Sequence, residues 1–339
     1  MIDSERIHVT LSPWDLSDDY NRHAGVTLLS FLEHCNGEKV IVHLLYEKRL
    51  NTKNPVNVTE NKVKYAEIAK QYGAEILYHN VNIPEEISQI PTVQKWTAGA
   101  LLRLYLPNLL PDVEKIIYLD CDMVVNTDVS NLWQINIDKY PLAACVDSAN
   151  KNFSTMRKRR YRKLGINIAH YFCSGMLLLN LNYIRTKFLL EKESFKLLKE
   201  QPDLPLPDQD ILNIFFGNAY LHLPEKYNIY SGRVDAEKQM GDAIIHYAWK
   251  IKPWKAYHGP IDDIYWKYLL KTPWGKDFTS MIHYIIPVID VSNQETIPNT
   301  YAALTMRYLD ATLISLQIFL KFTASRILDF FHNHVMGNN

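Results

Sequence analysis

Short apolar runs alternate with segments of helical periodicity along the first half of the chain. Runs rich in Val, Ile and Leu predict buried strands, and apolar residues spaced three or four apart predict amphipathic helices between them. The predicted strands are residues 6–11, 39–45, 75–78, 115–119 and 141–146, and the predicted helices are residues 24–34, 59–72 and 96–106. This alternation is typical of βαβ units and predicts an α/β protein with a mostly parallel sheet.

The pattern continues to about residue 260 and then changes. Residues 176–181 and 242–246 are predicted strands, and residues 210–216 are a predicted helix. Beyond residue 260 come aromatic residues and prolines, then a predicted long helix over residues 301–331. We therefore expect a catalytic domain over residues 1–260 and an aromatic and helical extension over residues 261–339.

Composition narrows the class of protein. The 339 residues include 37 basic and 37 acidic residues, so the formal charge is zero, and 47% of the residues are hydrophobic. Such a chain can bury a core, which excludes a disordered protein, and its neutrality argues against a nucleic-acid partner. With only 12 glycines the chain has no glycine-rich phosphate loop.

The cysteines and the N-terminus predict a cytoplasmic protein. Four widely spaced cysteines without a CxxC pair suggest free thiols in a reducing compartment. The N-terminus lacks a basic segment followed by an apolar run, so we expect no signal peptide. No apolar stretch reaches the roughly 18 residues of a spanning helix.

The strongest chemical feature is a pair of carboxylates directly after an apolar strand. Asp120 and Asp122 are separated by one residue and follow residues 115–119. Ligands bind at the carboxyl ends of parallel strands, and two such carboxylates can bind one Mn²⁺ or Mg²⁺ that neutralises a departing diphosphate. The alternative is a loop with two solvated aspartates.

Two further motifs carry candidate ligands. His246 ends a predicted strand and can supply a nitrogen ligand to the same metal, although a lone histidine is more often structural. Lys252 can pair with a phosphate. Asp208 and Gln209 open a helix, where a carboxylate can stabilise an oxocarbenium-like transition state or simply cap the helix. Residues 171–176 look like a tight turn that enters a strand.

Together these blocks resemble glycosyltransferase family 8, which includes bacterial lipooligosaccharide and lipopolysaccharide galactosyl- and glucosyltransferases and the glycogenins. The resemblance covers residues 7–254 in the order of the family's motifs. Its main blocks are DDYNRHAGVTLLS (18–30), YLDCDMVV (118–125), SGMLLLNL (174–181), DQDILN (208–213) and HYAWKIKPW (246–254).

The resemblance implies a GT-A fold and a retaining transfer of hexose from a UDP-sugar. Asp120, Asp122 and His246 match the family's manganese ligands, and Asp120 also belongs to the donor site. The other positions that match donor-binding residues are Asp18 and Tyr20 at the uracil, Arg103, Asp147 and Cys173 at the sugar, and Lys252 at the diphosphate. Asp208 also matches a position at the donor sugar and Gln209 one next to the reacting carbon, and we treat both as candidate catalytic residues.

Three positions depart from the family's pattern. Cys173 replaces an asparagine, which puts the choice of hexose in doubt, and Trp249 replaces a glycine, where a bulky ring can narrow the pocket or shift the loop. The N-terminal loop also differs, so Asp15 competes with Asp18 for the base. The mechanism of retention stays open between a double displacement with Asp208 as nucleophile and a front-side reaction, which we favour.

The expected acceptor is a bacterial surface glycolipid or polysaccharide such as the lipopolysaccharide core. Two alternatives remain: transfer to a protein or soluble glycan, including self-glucosylation, and a non-catalytic module that binds a nucleotide sugar. Residues 151–163 hold seven Lys or Arg and no acid. They are either a solvated basic loop or a site for an anionic acceptor or membrane. With residues 301–331 they suggest peripheral contact with the inner face of the cytoplasmic membrane.

Overall fold

The strands form a seven-stranded central sheet and a small second sheet. The computed structural model describes residues 6–13, 19–47, 55–96, 98–233, 236–249 and 251–276. The strands are β1 (Ile7–Leu11), β2 (Val40–Glu47), β3 (Glu75–Val81), β4 (Lys115–Leu119), β5 (Met123–Asn126), β6 (Leu142–Val146), β7 (Phe172–Asn180), β8 (Leu221–His222), β9 (Ile229–Tyr230) and β10 (Ala243–His246).

Helices cover the central sheet and connect its strands. The α-helices are α1 (Asp19–Glu33), α2 (Pro55–Gln71), α3 (Glu85–Ser88), α4 (Pro91–Trp96), α5 (Leu106–Leu109), α6 (Val129–Trp133), α7 (Thr155–Lys163), α8 (Leu181–Lys187), α9 (Leu190–Glu200), α10 (Pro207–Phe216), α11 (Ala236–Gln239), α12 (Pro260–Lys271) and α13 (Pro273–Lys276). The 3₁₀ helices are Ala98–Tyr105, Ser148–Asn152, Ile168–His170, Glu225–Tyr227 and Met240–Asp242.

The central sheet is mostly parallel, as the sequence predicted. Its strand order is β3-β2-β1-β4-β7-β6-β8, and only β7 runs antiparallel to its neighbours, β4 and β6. The second sheet has the order β5-β10-β9, with β5 antiparallel to β10. One strand of this small sheet, β5, follows directly after the Asp120–Asp122 turn, since it starts at Met123.

Two apolar clusters pack on the two faces of the central sheet. In β4, Ile117 and Leu119 belong to one cluster while Ile116 and Tyr118 belong to the other. This division follows from the period of two in a strand, which sends alternate side chains to opposite faces. A strand that is apolar on both faces is therefore held on both sides, and its carboxyl end is a fixed point for the residues that follow.

Most predicted elements are confirmed, and three need correction. Residues 151–163 are not a loop, because most of the segment forms α7. Residues 171–176 are not a tight turn, because β7 begins at Phe172, where it pairs with Val146 of β6, and continues to its pairing with β4 from Met176 onward. Residues 98–105, predicted as part of an α-helix, form a 3₁₀ helix instead. The four cysteines are free, as predicted, and all four are buried.

Residues just beyond 260 pack into the same core as the strands. Tyr265 of α12 and Trp274 of α13 belong to the apolar cluster that also contains β1 and α1. Gly25 of α1 lies so close to the Trp274 ring that a Cβ there would be 2.4 Å from it. The predicted helix at 301–331 lies outside the described residues, so the division into residues 1–260 and 261–339 stays a prediction.

Candidate active site

The two aspartates of the YLDCDMVV block are fixed by backbone hydrogen bonds to β7 and to the residue that follows β10. The Asp120 amide donates to the Gly175 carbonyl of β7 at 2.7 Å, and the Asp122 carbonyl accepts from the Tyr247 amide at 2.9 Å. In the small sheet His246 pairs with Met123, the residue after Asp122. This register brings an imidazole from far along the chain beside both carboxylates.

Asp120, Asp122 and His246 form a cluster that fits a divalent cation. One ligand atom from each lies within 4.8 Å of the others, and His246 Nε2 is 3.3 Å from Asp122 Oδ1 and 3.8 Å from Asp120 Oδ2. His246 Nδ1 lies 3.0 Å from Asn228 Oδ1. That amide oxygen can only accept, so Nδ1 carries a proton, and Nε2, which faces both carboxylates, is the nitrogen that can bind a metal once its own proton is lost.

A glycine makes room for this cluster. A Cβ at Gly175 would lie 2.4 Å from His246 Cε1 and 2.8 Å from Asp120 Oδ2. Any side chain at this position would therefore displace two of the three candidate ligands. Two carboxylate oxygens and one imidazole nitrogen suit Mn²⁺ or a similar divalent ion.

Lys252 and Tyr20 complete the surroundings of Asp122. The Lys252 ammonium forms an ion pair with Asp122 and also donates to the Tyr247 carbonyl. The Tyr20 hydroxyl donates to Asp122 at 3.4 Å. Burial works against ionisation of Asp122, but Lys252 and His246 hold its pKa below the ordinary value. Burial also opposes protonation of His246, whereas the Asp122 charge raises its pKa to about 10.

Arg103 joins the cluster to Asp208. The guanidinium is 2.8 Å from Asp120 and 3.3 Å from Asp208, and it is only 4% exposed. It comes from the 3₁₀ helix, and its ring neighbour is Tyr118, 4.1 Å from the guanidinium carbon to the ring centroid. The Tyr118 hydroxyl donates to Asp120 at 2.9 Å. One buried cation therefore links two carboxylates that are far apart in the chain.

The start of α10 presents Asp208 and Gln209 with fixed orientations. The Ser174 hydroxyl donates to Asp208 at 2.9 Å, and the Ser174 amide donates to Gln209 Oε1 at 2.9 Å. The Gln209 amide nitrogen donates to Asp147 Oδ2 at 2.9 Å. Asp147 also accepts from the Ala149 amide, which caps the next 3₁₀ helix. Gln209 is thus oriented through both ends of its side-chain amide.

A third residue of α10 anchors the basic helix α7. The Asp210 carboxylate accepts from the hydroxyls of Tyr161 at 2.6 Å and Tyr171 at 2.5 Å. Tyr161 lies in α7, and its hydroxyl also accepts from Arg157 at 2.7 Å. The buried part of α7 is therefore tied to the helix that carries Asp208.

These side chains line one cleft of about 510 Å³. The predicted site residues on its wall are Tyr20, Arg103, Asp120, Asp122, Cys173, Asp208, Gln209, His246 and Lys252. Asp147 is buried beneath Gln209 and is not on the wall. Asp18 and its competitor Asp15 lie outside the described residues. The roles of all these residues stay predictions.

Two of the positions that depart from the family's pattern, Cys173 and Trp249, lie on the wall of the cleft. Cys173 is buried with its sulfur 3.9 Å from His246 Nδ1. Trp249 has φ 63°, so its backbone keeps the left-handed conformation that favours glycine, and its ring lies on the wall of the cleft. The wall also includes Ser12, Trp96, Ser174 and Tyr230, which sequence reasoning did not select.

Comparison with known proteins places this geometry in a family. Residues 14–258 match the model of glycosyl transferase family 8. The chain belongs to this family. General stress protein A of Bacillus subtilis strain 168 is 26% identical over 279 residues, which are 76% of this chain and 92% of that protein. Lipopolysaccharide 1,3-galactosyltransferase of Salmonella typhimurium strain LT2 is 24% identical, covering 64% of this chain and 67% of that protein.

The solved structures confirm the fold. The galactosyltransferase LgtC, solved with donor and acceptor sugar analogs, aligns with a TM-score of 0.63 and 20% identity over 80% of this chain and 99% of that chain. The predicted GT-A fold with a mostly parallel sheet is therefore confirmed for the described residues. None of the helices in these ranges combines the length and apolar character of a bilayer-spanning segment.

Proposed function

We propose that this family 8 member transfers glucose or galactose from a UDP-sugar to a hydroxyl of a bacterial surface glycolipid or polysaccharide, with retention at the anomeric carbon. The observation that carries the proposal is that the candidate metal ligands and Asp208 share one cleft. Arg103 forms ion pairs with both Asp208 and Asp120, and Asp120 belongs to the cluster with Asp122 and His246. The names of the lipopolysaccharide transferases among the relatives support the acceptor class.

The proposed cofactor is Mn²⁺, or Mg²⁺, held by Asp120, Asp122 and His246. When bound, the cation neutralises charge on the diphosphate leaving group. Lys252 lies beside these ligands and its ammonium can pair with a phosphate oxygen. Arg103 pairs with Asp120 and Asp208 and fixes the two carboxylates relative to each other. The donor is therefore oriented by groups that are already in place before it arrives.

Asp208 and Gln209 are the proposed residues at the reacting carbon. The Asp208 carboxylate can stabilise positive charge that develops on the sugar ring. In a front-side reaction this stabilisation suffices, and the departing phosphate takes the acceptor's proton. Because Asp208 accepts a hydrogen bond from Ser174 and pairs with Arg103, its approach as a nucleophile is restricted, which supports the front-side reaction.

UDP release is the direct test of this function. The purified chain with Mn²⁺ is expected to release UDP from UDP-glucose or UDP-galactose, and the sugar that is turned over identifies the hexose. Asp122→Ala is expected to abolish release because it removes a ligand. The matched control is Asp138→Ala, since Asp138 is exposed and does not line the cleft.

The alternative functions and the two schemes of retention are distinguished by three further measurements. UDP binding without release from any UDP-sugar by the wild-type chain would favour a non-catalytic binding module and contradict transfer. A glycosylated tyrosine on the purified chain would favour self-glucosylation over a glycolipid acceptor. Near-normal transfer by Asp208→Ala would remove this carboxylate from both schemes of retention.

The proposed location is the cytoplasm, with peripheral contact at the inner face of the cytoplasmic membrane. Helix α7 supports the contact, since it holds six of the seven basic residues of segment 151–163, and three of them, Arg159, Arg162 and Lys163, are exposed. The second predicted contact, residues 301–331, lies outside the described residues and stays a prediction.

A further inference from the structure

Trp249 has a backbone conformation that its side chain does not favour. Its φ is 63°, and among the described residues only one other non-glycine residue, Asn36, has a positive φ. For a bulky residue this conformation is an outlier that the surroundings must maintain. Burial of the ring does not offset the strain, because the Trp249 side chain is 44% exposed. A large, exposed, strained aromatic residue on a cleft wall indicates a binding role.

A second tryptophan meets Trp249 at a right angle. The ring centroids of Trp96 and Trp249 are 5.9 Å apart with an interplanar angle of 86°. The Trp96 indole N–H donates to the Pro205 carbonyl at 2.7 Å, which fixes its ring. Pro205 lies just before the helix that carries Asp208. Trp249 lies between His246 and Lys252 in sequence. The pair therefore connects the metal side of the cleft to the Asp208 side.

We propose that Trp96 and Trp249, here called the tryptophan corner, bind the pyranose ring of the acceptor. The apolar C–H face of a pyranose packs on an aromatic face, and two rings at a right angle contact a sugar on a face and an edge. This inference rests on the proposed function, because it takes the transferred group to be a sugar and the acceptor a glycan.

The charges of the cleft favour the acceptor over the donor as the occupant of the corner. The groups that suit a diphosphate and its cation, Asp122, His246 and Lys252, are buried. The exposed Trp249 ring carries no charge and is reached directly from solvent. An uncharged sugar that arrives from outside therefore meets the tryptophan corner, while the anionic donor is held deeper.

Saturation-transfer difference NMR tests the corner with simple sugars in place of the natural acceptor. The full chain is loaded with Mn²⁺ and UDP, and the probes are methyl β-D-galactopyranoside and methyl β-D-glucopyranoside. We expect saturation transfer to the ring protons of at least one probe with the wild-type chain. Trp249→Gly should reduce the signal at least fivefold, since glycine accepts the positive φ and removes the ring. Trp249→Phe should retain part of it.

Controls separate acceptor binding from other causes. Leu189→Ala removes an exposed apolar side chain that is not on the cleft wall, and it should keep the wild-type signal. The UDP dissociation constant of Trp249→Gly, measured by calorimetry, should stay within about twofold of wild type, since the proposed contacts of UDP are elsewhere in the cleft.

Three results would overturn the inference. They are an equal signal in Trp249→Gly and wild type, no signal from either probe with the wild-type chain, and a tenfold weaker UDP affinity in Trp249→Gly, which would assign the ring to the nucleotide. The proposed function fails on a separate measurement, the absence of UDP release from every UDP-sugar, so the two failures are distinguishable.

Discussion

At the scale of single residues, Gly175 leaves the space in which the three candidate metal ligands meet. The chain uses only 12 glycines in 339 residues, and this one faces His246 and Asp120 where a Cβ would lie under 3 Å from both. Its backbone does not need the left-handed conformation, since no positive φ occurs there. The requirement at this position is space for two ligands, so its effect can be separated from folding.

Gly175→Ala is expected to weaken metal binding. The methyl group displaces the imidazole and the Asp120 carboxylate, and altered ligand orientation typically costs about 10–100-fold in metal affinity. Calorimetric titration of Mn²⁺ into the chain measures the change. Gly241→Ala is the matched control, because a Cβ there meets nothing within 4 Å and the backbone is unstrained. Equal Mn²⁺ affinity in Gly175→Ala and wild type would show that the pocket relaxes around the methyl group.

Sequence reasoning found the residues of the cleft that lie in recognisable motifs. Asp120, Asp122 and His246 were predicted as one ligand set, and the structure brings them together. It could not find Asn228, which orients His246 from 18 residues away, because no motif marks that asparagine. Ser174 was within a quoted block, but its hydrogen bonds to Asp208 and Gln209 depend on how β7 and α10 pack.

At the scale of elements, three histidines form a ladder across neighbouring strands. His8 Nδ1 of β1 is 2.9 Å from His43 Nε2 of β2, and His43 Nδ1 is 3.0 Å from His79 Nε2 of β3. Burial, reinforced by Arg6, lowers the pKa of His8 to about 4, and burial beside His8 lowers that of His43 to about 3. Burial also lowers the pKa of His79. The ladder is therefore neutral in the folded protein near neutral pH.

The ladder predicts a loss of stability in mild acid. In the unfolded chain a histidine takes up a proton near its ordinary pKa of 6.5, whereas His43 in the folded chain does so only near 3. The unfolded state binds more protons between these values, so the free energy of unfolding falls as the pH falls from 6.5. For one histidine the slope approaches about 1.4 kcal/mol per pH unit.

His43→Gln should reduce the slope of the free energy of unfolding against pH by about the contribution of one histidine, which approaches about 1.4 kcal/mol per pH unit. Urea unfolding at pH 7, 6, 5 and 4.5 measures it for the variant and the wild-type chain. The comparison of slopes is the readout, so a uniform loss of stability in the variant does not affect it. Identical slopes would mean that His43 takes up its proton equally in the folded and unfolded states.

The element predictions succeeded where local pattern and tertiary packing agree. The strand Lys115–Leu119 was predicted with its observed bounds, since it is apolar on both faces. The segment 151–163 was misjudged because its charge suggested a loop, whereas the Ser154 side chain caps α7 and Tyr161 anchors it. The turn at 171–176 is a strand because two neighbouring strands pair with it, which a single sequence does not reveal.

At the scale of the whole molecule, zero net charge conceals an uneven distribution. Residues 151–163 carry seven positive charges and no negative one, so the remainder carries seven negative charges in excess. On α7 Met156 is 84% exposed among these cations. An exposed apolar side chain among cations suits an anionic membrane surface.

Removal of three exposed cations from α7 should weaken binding to anionic vesicles. The triple variant Arg159→Gln, Arg162→Gln, Lys163→Gln is expected to lower the partition coefficient about 100-fold, since each cation near the surface contributes about 1 kcal/mol. Co-sedimentation of the full chain with phosphatidylglycerol vesicles measures this, and added salt should weaken wild-type binding in the same direction.

The matched control neutralises three exposed lysines elsewhere, Lys70, Lys139 and Lys192. This control has the same net charge as the α7 variant, so a general charge effect would lower both equally. Equal loss in the two triple variants, or equal binding of the wild-type chain to neutral phosphatidylcholine vesicles, would contradict a docking surface on α7.

The anchoring of α7 through Tyr161 to Asp210 has a geometric consequence. Asp210 is two residues from Asp208 in α10, so α7 and the proposed reacting centre are both held by the same helix. A membrane bound by α7 would therefore lie at a constant height relative to the cleft. Transfer would then be restricted to sugar hydroxyls at one narrow range of distances from the lipid surface, and hydroxyls nearer to the lipid or farther from it would not be glycosylated.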